Sequence, residues 1–319
     1  MTRATIIFAV LLALAVPLSL LAGRVWLDPT TQNAALILAD LRMPRAVLAI
    51  VVGAGLGTAG AAMQGYLRNP LADPGLFGIA PGAALGAVVA LYIGTTSALV
   101  LPAFALVGAG GAMALLALIA GRTSSPAHGI ALFTLAGMMI ASLAGALTSL
   151  AISLAPNAFA MSSIVTWLMG ALTDRSWQDV AIAAPLSLAG IAVLWRAGRS
   201  LDALTLGEEA ARSMGVNPSA LMRLMVVGTA LTVGSGVAVA GIIGFVGLIV
   251  PHLVRPLTDK RPSSLIVPSA LAGALLVLVA DMVCRILPLV TELRLGIALS
   301  LIGAPFFLWL LLRMRRGLA

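Results

Sequence analysis

The sequence predicts an all-α fold, a polytopic membrane helix bundle of about ten transmembrane helices. Three observations carry this. Charged residues make up 9% of the 319, while 61% are hydrophobic and the mean hydropathy is +1.11; a soluble domain carries about a quarter charged residues. A core of this size leaves much of the folded surface outside, so the medium around that surface is lipid. Uncharged stretches recur at lengths that cross about 30 Å of hydrocarbon. The arginines fall between those stretches, as membrane-flanking loops place them, and do not cluster with aromatics as in a nucleic-acid binder.

Taken in order, residues 4–23, 46–67, 75–94, 97–121 and 129–155 each read as a crossing. The next apolar stretch, 160–173, is too short to cross and reads as an interfacial or re-entrant helix. Residues 180–195 and 264–280 are shorter spans bounded by charges and aromatics, and 295–312 is the last. The uncharged run 224–254 exceeds one span and falls short of two, so a turn at Gly234-Ser235-Gly236 is expected to divide it into two short or tilted helices. Pro17, Pro81, Pro102, Pro185, Pro268 and Pro305 are expected to kink or break their helices. The first span follows Arg3 and reads as an anchor, because further spans follow it and no small-residue cleavage site is evident. The chain reads as one transmembrane domain, 1–319, with its longest cytoplasmic loop at 196–223.

With ten spans both termini share a side, and the basic residues choose which. Arg3, Arg68, Arg122, Arg196, Arg199, Arg212, Arg223, Arg255, Lys260, Arg261, Arg313, Arg315 and Arg316 fall on the side of the termini. Arg24, Arg42, Arg45, Arg175, Arg285 and Arg294 fall on the other. The excess places both termini in the cytoplasm.

Several chemistries find no support. The run GAGLGTAG at 53–60 has the Gly55-x-Gly57-x-x-Gly60 spacing of a dinucleotide-binding turn, but it sits inside an apolar span without the strand and acid that such a turn needs. Its small residues fit helices that approach closely. His128 and His252 have no second ligand at useful spacing, so no metal site is expected. The single cysteine, Cys284, has no disulfide partner and reads as packing. Asp281 and Arg285 lie at the outer end of the ninth span and no charge sits near a span centre, which removes support for a proton relay. Neither a nucleophile elbow nor a phosphate-binding loop is present.

The segment DALTLGEEAARSMGVNP, 202–218, is water-loving within an apolar chain. Glu208 and Glu209 suit the first turn of a helix, Arg212 follows one turn on, and Gly215 suits the C-terminal cap with Pro218 beyond. So short a helix is not stable alone in water and must dock. Leu204, Gly207, Ala211 and Met214, adjoined by Ala210, form a small apolar face that either lies on its own bundle or meets a partner.

The spacing Glu209-Ala210-Ala211, three residues, Gly215 resembles the loop by which importer permeases of the ATP-binding-cassette class engage their ATPases. LRMPR at 41–45, AGAAMQGYLRNPLADPGLFGIAPGAALG at 59–86, GFVGLIVPHLVR at 244–255 and LGIALSLIGAPFFLWLL at 295–311 resemble the FecCD-type permeases that import vitamin B12, haem and ferric siderophores. The likeness runs nearly end to end.

The resemblance implies a permease in a bacterial inner membrane, paired with a second permease subunit as a homodimer, with a translocation path at their interface. Two cytoplasmic ATPase subunits carry ATP and magnesium, this chain binds no cofactor and is not itself an enzyme, and a periplasmic binding protein delivers the metal chelate. The ATPase-coupling residues it implies are Leu204, Leu206, Gly207, Glu208, Glu209, Ala210, Ala211, Met214 and Gly215. Arg42, Arg45 and Arg285 correspond to arginines that dock the binding protein, although ordinary flanking arginines fit the same positions. On the fifth span Thr134, Met138, Ser142, Ser149 and Ser153 are the implied path residues; the three serines share a helical face and could equally bond back to helix carbonyls. Pro81 departs from relatives with a small polar residue there, which leaves that gate and one near 128–130 unassigned. The alternative function is a secondary active transporter of a bulky amphipathic solute, with an intramembrane enzyme as a third class.

Overall fold

The computed structural model describes residues 3–28, 30–94, 99–120 and 126–316, with the side chains at 76, 126–130 and 314–316 outside the description. Its helices are α1 (Arg3–Leu21), α2 (Ala34–Tyr66), α3 (Ile79–Tyr92), α4 (Val100–Ala120), α5 (Pro126–Ser153), α6 (Ala158–Leu168), α7 (Trp177–Leu204), α8 (Glu208–Ser213), α9 (Pro218–Ala240), α10 (Val246–Val254), α11 (Pro262–Ile286) and α12 (Leu295–Arg316). No strand occurs among the described residues. Among the described residues eight helices are long and apolar enough to cross a membrane; α3, α6 and α10 are shorter apolar helices.

Helix α2 is the centre of the bundle. Its most apolar window is 78% buried, against 22% for α1 and α5 at the rim. It packs on α11, α7, α9 and α10. The glycine run makes this possible. A Cβ on Gly53 would stand 2.3 Å from the Gly273 carbonyl oxygen, one on Gly57 2.1 Å from that of Ser269, and one on Gly60 2.0 Å from that of Gly247. Residues 53, 57 and 60 share a helical face, so the stripe is a backbone-to-backbone seam and not a nucleotide turn.

The break in the 224–254 run lies elsewhere than at Gly234-Ser235-Gly236. Helix α9 continues unbroken to Ala240, and the triplet is buried inside it, with the Ser235 hydroxyl donating to the Leu231 carbonyl. The chain unwinds instead at 241–245, where Gly241 (φ +72°) and Phe245 (φ +65°) take left-handed backbone. Other segments enclose that stretch: Ala171 N–H donates to Ala240 O at 2.8 Å just before it, and Gly170 and Gly296, themselves bonded at 3.1 Å, lie against the Ile242 carbonyl. Irregular backbone at membrane depth persists only where protein surrounds it, as here. Helix α10 therefore spans about 14 Å, at about 1.5 Å per residue, and is a half-crossing.

Other expectations shift at helix ends. Pro81 and Pro102 lie in the first turns of α3 and α4, where a missing N–H costs nothing, so neither breaks its helix. Pro17, Pro185, Pro268 and Pro305 are interior. The stretch before α3 is a 3-10 turn, Pro74–Phe77, capped by the Asp73 carboxylate accepting from Gly75 N–H at 2.7 Å. Helix α2 begins well before residue 46 and carries a π turn, Ile37–Arg42. Helices α7 and α9 extend beyond their apolar runs, so of the loop 196–223 only 205–217, which holds α8, lies outside them.

Candidate functional sites at the two ends of the bundle

One end of the bundle carries α8. Gly207 (φ +102°) precedes it and Gly215 (φ +86°) follows it. Its C-terminus is a Schellman cap: Val216 N–H donates to Ala211 O at 2.9 Å and Gly215 N–H to Arg212 O at 2.9 Å. A Cβ at either glycine would meet no atom within 4 Å, so the backbone conformation alone calls for glycine. The expected apolar face divides in two. Leu204 and Ala211 are buried against the chain itself, whereas Leu206 and Met214 are 68% and 62% exposed. Glu209 is exposed, and Glu208, Ala210 and Gly207 are half-buried.

Among the helices, α8 packs mainly on the end of α7. That end is itself fixed: Asp202 accepts from the Ser263 N–H at 2.9 Å and from its hydroxyl at 2.5 Å, joining α7 to the start of α11. A cavity of about 550 Å³ lies between Leu206, Met214, Arg199 and the 259–262 turn. Beside it, Arg68, Arg255 and Lys260 line a cavity of about 210 Å³ with no acid on its wall.

The opposite end gathers Arg24, Arg42, Arg45 and Arg285 around a cavity of about 270 Å³ with Glu292. Arg42 donates to the carbonyls of Leu20 (2.8 Å), Ala22 (3.3 Å) and Val25 (3.2 Å), closing the C-terminus of α1. Arg45, 12% exposed, holds Asp281 at 2.8 Å and also Glu292. Arg285, 9% exposed, pairs with Asp281 at 3.2 Å and donates to the Ser19 hydroxyl at 2.7 Å. Of the three arginines expected to dock a binding protein, Arg45 and Arg285 join an ion-pair network of α2, α11 and α1, and Arg42 covers the end of α1. The sequence places Asp281 at this end but does not show it as the partner of Arg45 and Arg285, because residues 45 and 281 meet only once α2 and α11 pack along the glycine seam.

Helix α5 has three faces. Phe133, Ala136, Ile140 and Ala144 are buried against α3 and α4. At 100° per residue Met138, Ser142, Ser149 and Ser153 fall on the opposite side, and all four are exposed. Thr134 is half-buried at the edge of that side. Among the described residues the hydroxyls of Ser142, Ser149 and Ser153 make no hydrogen bond, unlike Thr229, Thr232 and Ser235 of α9, which all bond back to carbonyls. Leu143, Leu150 and Leu154 form an exposed apolar flank beside the serines. The side chains of the 128–130 gate region lie outside the described residues.

The comparisons agree with this geometry. The sequence matches the profile of the FecCD transport family over residues 5–313. It is 38% identical to an uncharacterized ABC transporter permease protein, YvrB, of Bacillus subtilis, over 91% of this chain and 82% of that one. It is 37% identical to the Fe(3+) dicitrate transport system permease protein FecD of Escherichia coli, over 88% of this chain and 86% of that one. Identity is also 37% to the hemin transport system permease protein HmuU of Yersinia pestis, over 93% of this chain and 90% of that one. A solved structure, described as an inward-facing conformation of a candidate metal-chelate type ABC transporter, superposes with a TM-score of 0.89 at 31% identity, covering 97% of this chain and 98% of that one. The chain is a multi-pass membrane protein that belongs to the FecCD transport family.

Proposed function

We propose that this chain is the permease subunit of a binding-protein-dependent ABC importer of a metal chelate, seated in a bacterial inner membrane with both termini cytoplasmic. The observation that carries it is α8: a short helix packed mainly on the end of α7, bracketed by two positive-φ glycines, with Leu206 and Met214 offered outward. A partner ATPase covering those side chains moves α8, and α7 and α9 transmit the motion to the bundle. ATP and magnesium stay on that partner; this chain catalyses no reaction and holds no cofactor.

The path runs between two copies of the chain. Support comes from α5, whose exposed serines would cost free energy against lipid and are suited to a wet passage or a second subunit. A path of hydroxyls and methionine without charge lets a bulky chelate pass without trapping it. The binding protein docks at the opposite end, where its carboxylates enter the cavity of Arg42, Arg45 and Arg285 and exchange with Glu292.

The test is uptake by vesicles reconstituted with the ATPase and the binding protein. Ferric dicitrate, haemin and cobalamin are offered in turn. ATP-dependent accumulation of one of them is expected, insensitive to collapse of the proton gradient. Reversal of Arg42 and Arg45 to glutamate is expected to weaken binding-protein docking, most strongly at low salt. Uptake that survives ATP depletion and fails with the proton gradient would replace this reading with a secondary carrier.

A further inference from the structure

Six arginines lie at the end away from α8, and two of them differ from the rest. Arg24, Arg42, Arg45 and Arg285 are all bonded within the chain. The side chains of Arg175, in the turn between α6 and α7, and of Arg294, one residue before α12, make no hydrogen bond or ion pair among the described residues. Both line a cavity of about 380 Å³, with Thr166, Trp167, Thr173 and Asp174 on its wall. The Nε of Arg175 and the indole Nε1 of Trp167 are buried there without partners.

Burial lowers the pKa of Arg175, with Asp179 and Asp174 opposing the shift and the Arg294 charge adding to it. A guanidinium nevertheless stays protonated, so two cations share a partly desolvated space. Asp179 and Asp174 both oppose these charges, Asp179 while it caps α7 by accepting from Ser176 N–H at 2.8 Å. Among the described residues neither guanidinium has an acid within ion-pair distance, and two buried donors remain unmet, a costly arrangement unless a ligand completes it.

The position of the cavity suggests which ligand. Leu91 closes one side, and its neighbour Tyr92 donates from its hydroxyl to Leu154 O at 2.8 Å, which ties the end of α3 beside the cavity to the end of α5. The cavity thus lies at the same end of the bundle as the mouth of the proposed path, and Thr173 on its wall donates to Glu292 of the Arg45 cluster at 3.4 Å. Its volume exceeds what one carboxylate side chain needs, and indole and hydroxyl donors add to the guanidinium forks.

We propose that this cavity is an anion subsite that takes a carboxylate-bearing face of the cargo chelate. The proposal rests on the import reading above and narrows the cargo to chelates with carboxylates, excluding those presenting a neutral surface.

The full-length permease in lipid nanodiscs, without binding protein, is titrated calorimetrically with ferric dicitrate, haemin and a ferric trihydroxamate lacking carboxylates. At least one of the two carboxylate chelates is expected to bind, about tenfold or more weakly in the Arg175→Gln/Arg294→Gln double variant, and the trihydroxamate not to bind. The Arg175→Lys/Arg294→Lys variant keeps the charge without the fork and is expected to fall between. Trp167→Phe keeps the ring, removes the N–H, and is expected to weaken binding about threefold. Equal affinity in wild type and the double variant, or no carboxylate chelate binding to wild type, would overturn the subsite. So would a double variant that loses affinity for cargo-free binding protein while chelate binding is unchanged, since the cavity would then receive a protein carboxylate. Vesicle uptake is scored separately: chelate binding without ATP-driven uptake breaks the import reading and leaves the subsite standing.

Discussion

The two ends of the bundle treat charge in opposite ways. Around Arg45 the cations are consumed internally: Asp281, 1% exposed, is shared by Arg45 and Arg285, and Arg42 and Arg24 cover backbone carbonyls. Beside α8 Arg261 pairs with Asp259 and Arg255 donates to the Gln64 side chain at 3.3 Å, but three cations there meet no acid. Arg68, Arg255 and Lys260 line a cavity without an acid, beside exposed Leu206 and Met214. The first arrangement fixes α1, α2 and α11 relative to one another. The second is a surface left incomplete, with charge for an acidic partner and apolar side chains for its centre. Rigidity at one end and an open contact at the other suit a machine in which motion enters at α8.

The strongest way to break this contrast is at Asp281. Replacing it with alanine leaves two nearly buried guanidiniums short of their shared acid, and breaking such a pair costs about 3–5 kcal/mol. The expected result is a large drop in the thermal midpoint of the permease in nanodiscs. A midpoint within a degree or two of wild type would mean that Glu292 alone holds Arg45 and that this end is not the rigid one.

How much of this was legible follows the range of the interactions. The glycine seam of α2, the cap at Gly215 and the serine face of α5 are local patterns, set by 3.6-residue periodicity and by the glycine requirement at positive φ, and the sequence displays them directly. The break at 241–245 was not legible. Gly234-Ser235-Gly236 has the composition of a turn, but buried helix packing overrides it, while the true break depends on bonds from Ala171 and on the approach of Gly170 to Ile242. Pairing of Arg45 with Asp281 was hidden for the same reason, since the two meet only once α2 and α11 have packed. The coupling segment was found as a unit, but which of its apolar residues face outward depends on how α8 leans on α7.

At the α8 end the expected cost to stability is smaller. Gly215→Val introduces no clash, because no atom lies within 4 Å of its Cβ position. Its penalty is the left-handed backbone, about 1–2 kcal/mol for a residue with a Cβ. That strain falls on a segment packed mainly on α7, so the thermal midpoint is expected to move little while ATP-dependent uptake is largely lost. A midpoint shift as large as that of Asp281→Ala would show α8 to be part of the folded core.

The finest discrimination comes from Leu206→Asp and Met214→Asp. Both side chains are more than half exposed in the isolated chain, so stability is expected to change by no more than about 0.5 kcal/mol. If an ATPase buries them, each aspartate must be desolvated at the centre of an apolar contact, and affinity for the ATPase, measured by pull-down or interferometry, is expected to fall about tenfold or more. Ala211→Asp is the matched control: Ala211 is 2% exposed and faces the chain's own bundle, so its substitution is expected to destabilise the fold as well as the contact. Should Leu206→Asp and Met214→Asp leave ATPase affinity unchanged, the outward face of α8 is not the contact. The open cations of Arg68, Arg255 and Lys260 would then be the next surface to reverse.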